Sequence, residues 1–245
     1  MKATCTSPQG EAFTLPPRLV VSSKTFPQDL ASYDSVLCRD RWREDQLEVI
    51  DQCRLLTHRI FLAPGGAKTV LFSGMAPQLG CTSLVVRTAE TLAVCGSGSV
   101  CLVDGNAYSP RVHTLFDLAN PHGLSEAIVE DRPATDYIQR LDESNLWVLS
   151  YGRQPFMEVE KAGRSRWMKR AIAKLSVDFD YVLVDSPPAT QYSDAVTLGS
   201  ATDGVALIMG SGSTRKDVAA QTISKLKKSG INILGIVLTA RSKKR

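Results

Sequence analysis

Three short stretches carry side chains that could act together on a phosphate. The first is the loop Pro77-Gln78-Leu79-Gly80-Cys81-Thr82-Ser83, which follows the apolar run Thr69–Phe72 and opens into a helical pattern. Strand, glycine-containing loop and then a helix with a hydroxyl residue at its start is the layout of a phosphate-binding loop. Such a helix start offers unpaired N–H groups and the positive end of a dipole, and the loop wraps further backbone donors around the anion. A working loop of this kind reads Gly-Lys-Ser/Thr, whereas this one reads Gly80-Cys81-Thr82 and has no lysine. The second and third stretches each end an apolar run with an aspartate, Val100–Asp104 and Tyr181–Asp185. An aspartate in that position can hold a Mg²⁺-bound water, because Mg²⁺ prefers hard oxygen ligands and keeps much of its hydration shell.

These residues must be positioned by an alternating chain. Strand 69–74 leads to a helix over 82–95, whose buried stripe is Leu84, Val85, Ala89, Leu92 and Ala93, with Gly96 as its stop. Strand 100–104 follows, then a helical or looped stretch to Ser125 and a strand over 145–150. A basic amphipathic stretch runs from about 158 to 175. Strand 181–185, a helix near 193–201, strand 205–209, a helix after Thr214 with a capping box Thr214…Asp217, and strand 231–239 complete the series. Continuous apolar strands alternating with amphipathic helices predict an α/β fold with a mostly parallel central sheet and helices on both faces. Ligands in such sheets bind at the carboxyl ends of the strands, where Gly80, Asp104 and Asp185 all fall. Residues 1–40 carry Pro16, Pro17 and Pro27 and one short apolar run, Leu19-Val20-Val21, and read as an N-terminal arm or linker. Residues 41–61 read as a helix, and 41–245 as a single domain.

The totals narrow the function. With 245 residues, 43% hydrophobic and 22% charged, the chain has an ordinary globular composition. Its net charge of +4 is mild and concentrated in Arg241-Ser242-Lys243-Lys244-Arg245, which speaks against nucleic acid as a partner. Six cysteines lie scattered without CxxC or His-flanked spacing, so free thiols in a reducing cytoplasm are expected. No stretch reaches the ~18 uncharged apolar residues of a membrane span.

Together the motifs resemble the cytoplasmic ATPase domain of the bacterial tyrosine kinases (BY-kinases) that accompany polysaccharide co-polymerases, relatives of the MinD-like (SIMIBI-type) P-loop NTPases. The resemblance covers about 51–239. The family's Pro-Gly-Glu-Gly-Lys-Ser-Thr lies over Pro77–Ser83, and its Asp-Ala-Asp-Leu-Arg-Arg-Pro, with His and Phe behind it, over Asp104–Pro110, His113 and Phe116. Asn-x-x-Gly-Leu-Ser is Asn120–Ser125. Asp-Tyr-Val-Ile-Ile-Asp-Thr-Pro-Pro is Asp180–Pro188, followed by Ser193-Asp194-Ala195, and Gly-Val-Val-Leu-Asn is Gly235–Thr239. The resemblance implies ATP or ADP with Mg²⁺ at Pro77, Gly80, Cys81, Thr82 and Ser83. It further implies Thr82, Asp104 and Asp185 around the metal, with the two aspartates as the catalytic pair.

The departures from the family weaken that activity. Cys81 replaces the lysine that holds the β- and γ-phosphates; losing a charged donor removes roughly 1.5–3 kcal/mol of binding and roughly 10²–10³ of rate if it also serves the transition state. Gln78 replaces a glycine, Asn106 the second aspartate, and Tyr108-Ser109 an arginine pair. No tyrosine follows Tyr192, so the tail that family kinases phosphorylate is absent, and the self-association motif Glu-x-x-Arg-x-x-Arg has become Asp51-x-x-Arg54-x-x-Thr57. Arg87 or Arg111 is a candidate substitute for the lost charge. The expectation is a degenerate member with weakened or lost nucleotide binding. It would act as a cytoplasmic regulator of exopolysaccharide or capsule synthesis and export, held at the inner membrane face by a membrane-embedded, Wzz-like co-polymerase, with homo-oligomers as a further expectation. The alternatives are an active tyrosine kinase of the same pathway and a MinD-like accessory ATPase, including the cellulose-synthesis type.

Overall fold

A computed structural model describes residues 4–6, 12–14, 18–21, 47–96, 98–119 and 122–239. In chain order it contains β1 (Thr4–Thr6), β2 (Ala12–Thr14), β3 (Arg18–Val21), α1 (Leu47–Thr57) running into a π-helical turn at His58–Leu62, β4 (Thr69–Gly74), α2 (Cys81–Cys95), β5 (Val100–Asp104), α3 (Val112–Leu115) and α4 (Leu124–Val129). A 3₁₀ turn at Ala134–Tyr137 precedes β6 (Gln139–Arg140), β7 (Leu146–Leu149), α5 (Phe156–Lys161), α6 (Arg164–Asp178) and β8 (Tyr181–Ser186). The series closes with α7 (Asp194–Thr197), a 3₁₀ turn at Gly199–Ala201, β9 (Gly204–Gly210), α8 (Lys216–Lys228) and β10 (Ile233–Thr239).

Strands β3 to β10 form one eight-stranded sheet in the order β3-β10-β9-β4-β8-β5-β7-β6, while β1 and β2 make a separate antiparallel pair. Every pairing in the large sheet is parallel except β6 with β7 at one edge. The central strands β4, β5, β8 and β9 are largely apolar because both faces are covered. In β4, Leu71 joins one core while Val70 and Phe72 join the other. β8 divides the same way, with Val182 and Val184 against Leu183, and β9 with Val205 and Leu207 against Ala206 and Ile208. That is the two-residue period of a strand with a helix layer on each side. One layer holds α1 and α2; the other holds α4, α6 and α8.

The central elements match the expectations, and α2 buries Leu84, Val85, Ala89, Leu92 and Ala93. Three details differ. The capping box at Thr214 does not form: α8 begins at Lys216, Thr214 Oγ1 accepts from the Gly210 N–H at 3.0 Å, and Asp217 pairs with Arg215 instead. The basic stretch 158–175 is two helices, α5 and α6, separated at Gly163. The stretch read as an arm contributes β3, whose Arg18–Val21 lie opposite Ile236–Thr239 of β10. Of the expected helix 41–61, residues 41–46 lie outside the described residues, as do Asn120 and the basic tail 241–245. Among the described residues no helix is long and apolar enough to cross a membrane.

Candidate functional site

The site lies where β4, β8 and β5 end side by side. β4 is central, flanked by β9 and β8, and β5 sits on the far side of β8 with Asp104 directly opposite Asp185. The loop leaving β4 is pinned at its base: the buried Met75 donates its N–H to Ile208 O at 2.8 Å, and Gly74 O accepts from Ala189 N at 2.9 Å. Gly80 adopts φ +75° immediately before α2, and its carbonyl accepts the first helical bond, from Leu84 N at 2.9 Å. No acidic residue stands in the first turn of α2 and no side chain caps it, so the helix start keeps the amides that an anion would use. Gln78 holds φ +59°, a left-handed conformation that costs a non-glycine residue roughly 1–2 kcal/mol. A glycine would adopt this bend without that cost. Pro77 is exposed; Gly80, Cys81, Thr82 and Ser83 are half-buried.

Both aspartates are buried. Asp185 accepts the Thr82 hydroxyl at 2.6 Å and the Cys81 thiol at 3.5 Å. Asp104 accepts three backbone N–H groups, from Arg111 and Val112 at 3.0 Å and from Asn106 at 3.2 Å. Burial pushes both carboxyls above their usual range, and the charge of Asp185 pushes Asp104 further, while the hydrogen bonds pull the other way. The groups that favour their charged forms are a hydroxyl, a thiol and backbone N–H groups. Burial first, and then the Asp185 charge, drive the Cys81 thiol well above its ordinary value. Cys81 is therefore a neutral thiol, not the reactive thiolate that a helix N-terminus can generate. The chain turns over the end of β8 only because residue 105 is glycine: Gly105 N bonds Asp185 O at 2.9 Å, and a Cβ there would sit 2.8 Å from that same oxygen.

These residues fit a Mg²⁺-bound phosphate in part. Two adjacent buried carboxylates, beside a hydroxyl and an open helix start, are a donor set suited to a hard cation and an anion together. Among the described residues no group of three or more His, Cys, Asp or Glu could hold a metal. An ion here would therefore rest on Thr82, Asp185, Asp104, water and phosphate oxygens. The two candidate substitutes for the lysine are placed differently. Arg87 lies on the α1 side of α2, beside Glu90 and close enough to act on Cys53, while Arg111 gives Asp104 its backbone N–H and is itself exposed. His113 is half-buried, held near Thr114, with its basicity lowered by burial and then by Arg153.

Three features here carry no sequence signal of their own. Tyr108 stacks on Tyr192 with ring centroids 3.7 Å apart and meets Phe156 at 4.8 Å, clasping the loops that follow Asp104 and Asp185. Arg164, buried at the start of α6, bridges Asp194 of α7 and Glu160 of α5. Glu126 is buried and accepts the Gly123 and Arg153 amides at 2.7 and 2.9 Å, tying α4 to the loop after β7. The only hint in the sequence was Tyr108-Ser109 standing where an arginine pair is usual.

The family model described as cellulose biosynthesis protein BcsQ matches residues 67–228. Tyrosine-protein kinase YwqD of Bacillus subtilis (strain 168) is 30% identical over 174 residues, covering 71% of this chain and 73% of that protein. The chain belongs to the family that the BcsQ model describes, with a bacterial tyrosine kinase among its relatives. Tyrosine-protein kinase etk of Escherichia coli (strain K12) is 28% identical over 69% of this chain, which spans only 23% of that longer protein. The solved kinase domain of E. coli ETK superposes with a TM-score of 0.70 at 24% identity, over 81% of this chain and 77% of that one. MinD from Pyrococcus horikoshii, solved with Mg-ADP, gives 0.60 at 21% identity over 70% and 69%. The structural likenesses support the α/β P-loop fold and nothing finer.

Proposed function

We propose that the chain is a degenerate tyrosine-kinase-like P-loop protein that regulates exopolysaccharide or capsule biosynthesis and export. Residues 41–245 form the working domain, and 1–40 the arm that lends it β3. It docks, at the inner face of the cell membrane, on a membrane-embedded co-polymerase. One observation carries the degeneracy: Cys81 stands where the phosphate-holding lysine belongs, with its thiol turned to Asp185. The backbone N–H groups of residues 78–83, in the loop that Pro77 opens, would cradle phosphate, and Thr82, Asp104 and Asp185 would hold Mg²⁺. The bound ion would supply the charge neutralisation that the loop no longer provides. Thr82 keeps its hydroxyl oriented by Asp185, and Asp104 stays fixed by backbone amides, so the metal side of the site outlives its phosphate side.

Calorimetric titration of Mg-ATP and Mg-ADP into the wild type, Asp185→Ala and Cys81→Lys tests this reading. The expected result is weak or absent wild-type binding, at least about tenfold tighter binding in Cys81→Lys, and none in Asp185→Ala. Tight wild-type binding with phosphate transfer to a tyrosine peptide overturns it. The BcsQ model match favours a second reading, an accessory ATPase of the MinD type. ATP-dependent dimerisation in sedimentation experiments would support that reading over the first.

A further inference from the structure

The loop between β5 and α3 holds Asp104 by folding back on it. Near its start Asn106 N donates to Asp104 Oδ1 at 3.2 Å, and at its end Arg111 N and Val112 N donate to Oδ2 at 3.0 Å. In between the loop turns on itself, with Ala107 N bonded to Gly105 O at 3.1 Å and Ser109 N to Asn106 Oδ1 at 3.2 Å. An ionised carboxylate accepts about four hydrogen bonds, two on each oxygen. Oδ2 is therefore filled, and Oδ1 keeps about one position. Where this loop lies decides how Asp104 can receive a metal-bound water.

The tip of the loop is Tyr108, which is 41% exposed yet lies face to face with Tyr192, the ring centroids 3.7 Å apart and the planes 23° from parallel. Tyr192 stands on a well-anchored segment. Ala189 N donates to Gly74 O at 2.9 Å and Thr190 Oγ1 to Met75 O at 3.0 Å, which ties that segment to the base of the loop leaving β4. The N–H groups of Gln191 and Tyr192 both bond Pro188 O, and two residues further on Asp194 closes on Arg164. The Arg164 guanidinium also lies over the ring of Phe156, 5.8 Å from its centroid, and Phe156 backs Tyr108 at 4.8 Å. An irregular loop with an exposed tip moves unless something rigid holds it. Here the tip is held by stacked rings that lead back to a buried ion pair.

We propose that Tyr108 and Tyr192 are positioning residues for Asp104: their stack holds the loop in the arrangement that keeps three backbone N–H groups on the carboxylate and leaves one Oδ1 position for a metal-bound water. The metal's part rests on the function proposed above; the hold on the loop does not. The first measurement is amide hydrogen exchange of the full chain with no metal added. Tyr192→Ala and Tyr108→Ala should speed exchange of the Arg111 and Val112 amides roughly three- to tenfold, the size of a lost ring pair, with Val184 in β8 unchanged. Tyr192→Phe keeps the ring and should restore wild-type exchange. The second is Mn²⁺ titration followed by electron paramagnetic resonance. Tyr192→Ala should weaken Mn²⁺ binding roughly three- to tenfold, but should have no further effect once Asp104→Asn is present, because a residue acting through Asp104 then has nothing left to position. A general loss of stability would weaken both backgrounds alike. Unchanged exchange at Arg111 and Val112, no rescue by Tyr192→Phe, or equal Mn²⁺ losses with and without Asp104 each overturns the proposal. Mn²⁺ binding that Asp185→Ala abolishes and Tyr192→Ala leaves alone removes the positioning role and keeps the metal site. No Mn²⁺ binding by the wild type removes the metal site and the positioning role together.

Discussion

Two clusters of buried carboxylates sit at the same edge of the sheet and are built on opposite plans. Asp194, with Glu160 beside it, closes on the buried guanidinium of Arg164, which brings its own positive charge. Asp104 and Asp185 face each other, and the groups bonded to them are a thiol, a hydroxyl and backbone amides. The first cluster is complete by itself and locks α5, α6 and α7 together. The second is incomplete, and its carboxyls are held above their normal range by burial for that reason. A self-contained ion pair serves the scaffold; two raised carboxyls beside an open helix start are where the proposed ion and phosphate would sit.

The sharpest way to break this contrast is Arg164→Met. It should destabilise the protein by about 3–5 kcal/mol in urea denaturation, because Asp194 is left buried and unpaired, and adding Asp194→Leu should recover most of the loss. At the other cluster the sign reverses: Asp185→Asn should stabilise the ligand-free protein at pH 7–8 by about 1–2 kcal/mol, the worth of a pKa unit or slightly more. Equal losses from both variants would erase the distinction.

The pH dependence sharpens it further. A carboxyl raised in the folded state contributes stability that is fully present below its unfolded pKa of about 4 and is lost as pH rises through the folded value. Wild-type stability should therefore fall from about pH 4 towards neutrality. Asp185→Asn should flatten that fall by more than one carboxyl's share, because the Asp185 charge also raises Asp104. Denaturation midpoints across that range measure both slopes. The smallest effect belongs to Gln78→Gly, which relieves the left-handed residue of the loop and should raise stability by up to about 1 kcal/mol, with nucleotide affinity little changed.

The sheet was legible because burial on both faces writes itself as unbroken apolar runs such as Val70–Phe72 and Leu102–Val103, and each run had room for one strand only. The aspartates were legible for the same reason, since they end those runs. The partners that decide the state of the site were not. Whether Arg87 reached the loop depended on which way α2 rotated, and it turned towards Cys53. The Tyr108–Tyr192 stack joins residues that periodicity does not connect. The capping box at Thr214 failed because its hydroxyl found a nearer backbone donor in Gly210.

Strand β3 has a consequence for how the molecule is made. Among the described residues its partner in the sheet is β10, and Arg18 lies opposite Ile236, so most of the sequence separates the two halves of one ladder. At synthesis rates of about 5–20 residues per second, the early strand waits on the order of tens of seconds for its neighbour. Closing so long a loop adds conformational cost before any hydrogen bond forms. The β4–β8–β5 centre can assemble first, leaving β10 as an open edge until the N-terminal segment returns to cover it. Final closure of this sheet is a meeting of the first-made and last-made strands, and the interval before it is when the chain is most available for pairing with another copy.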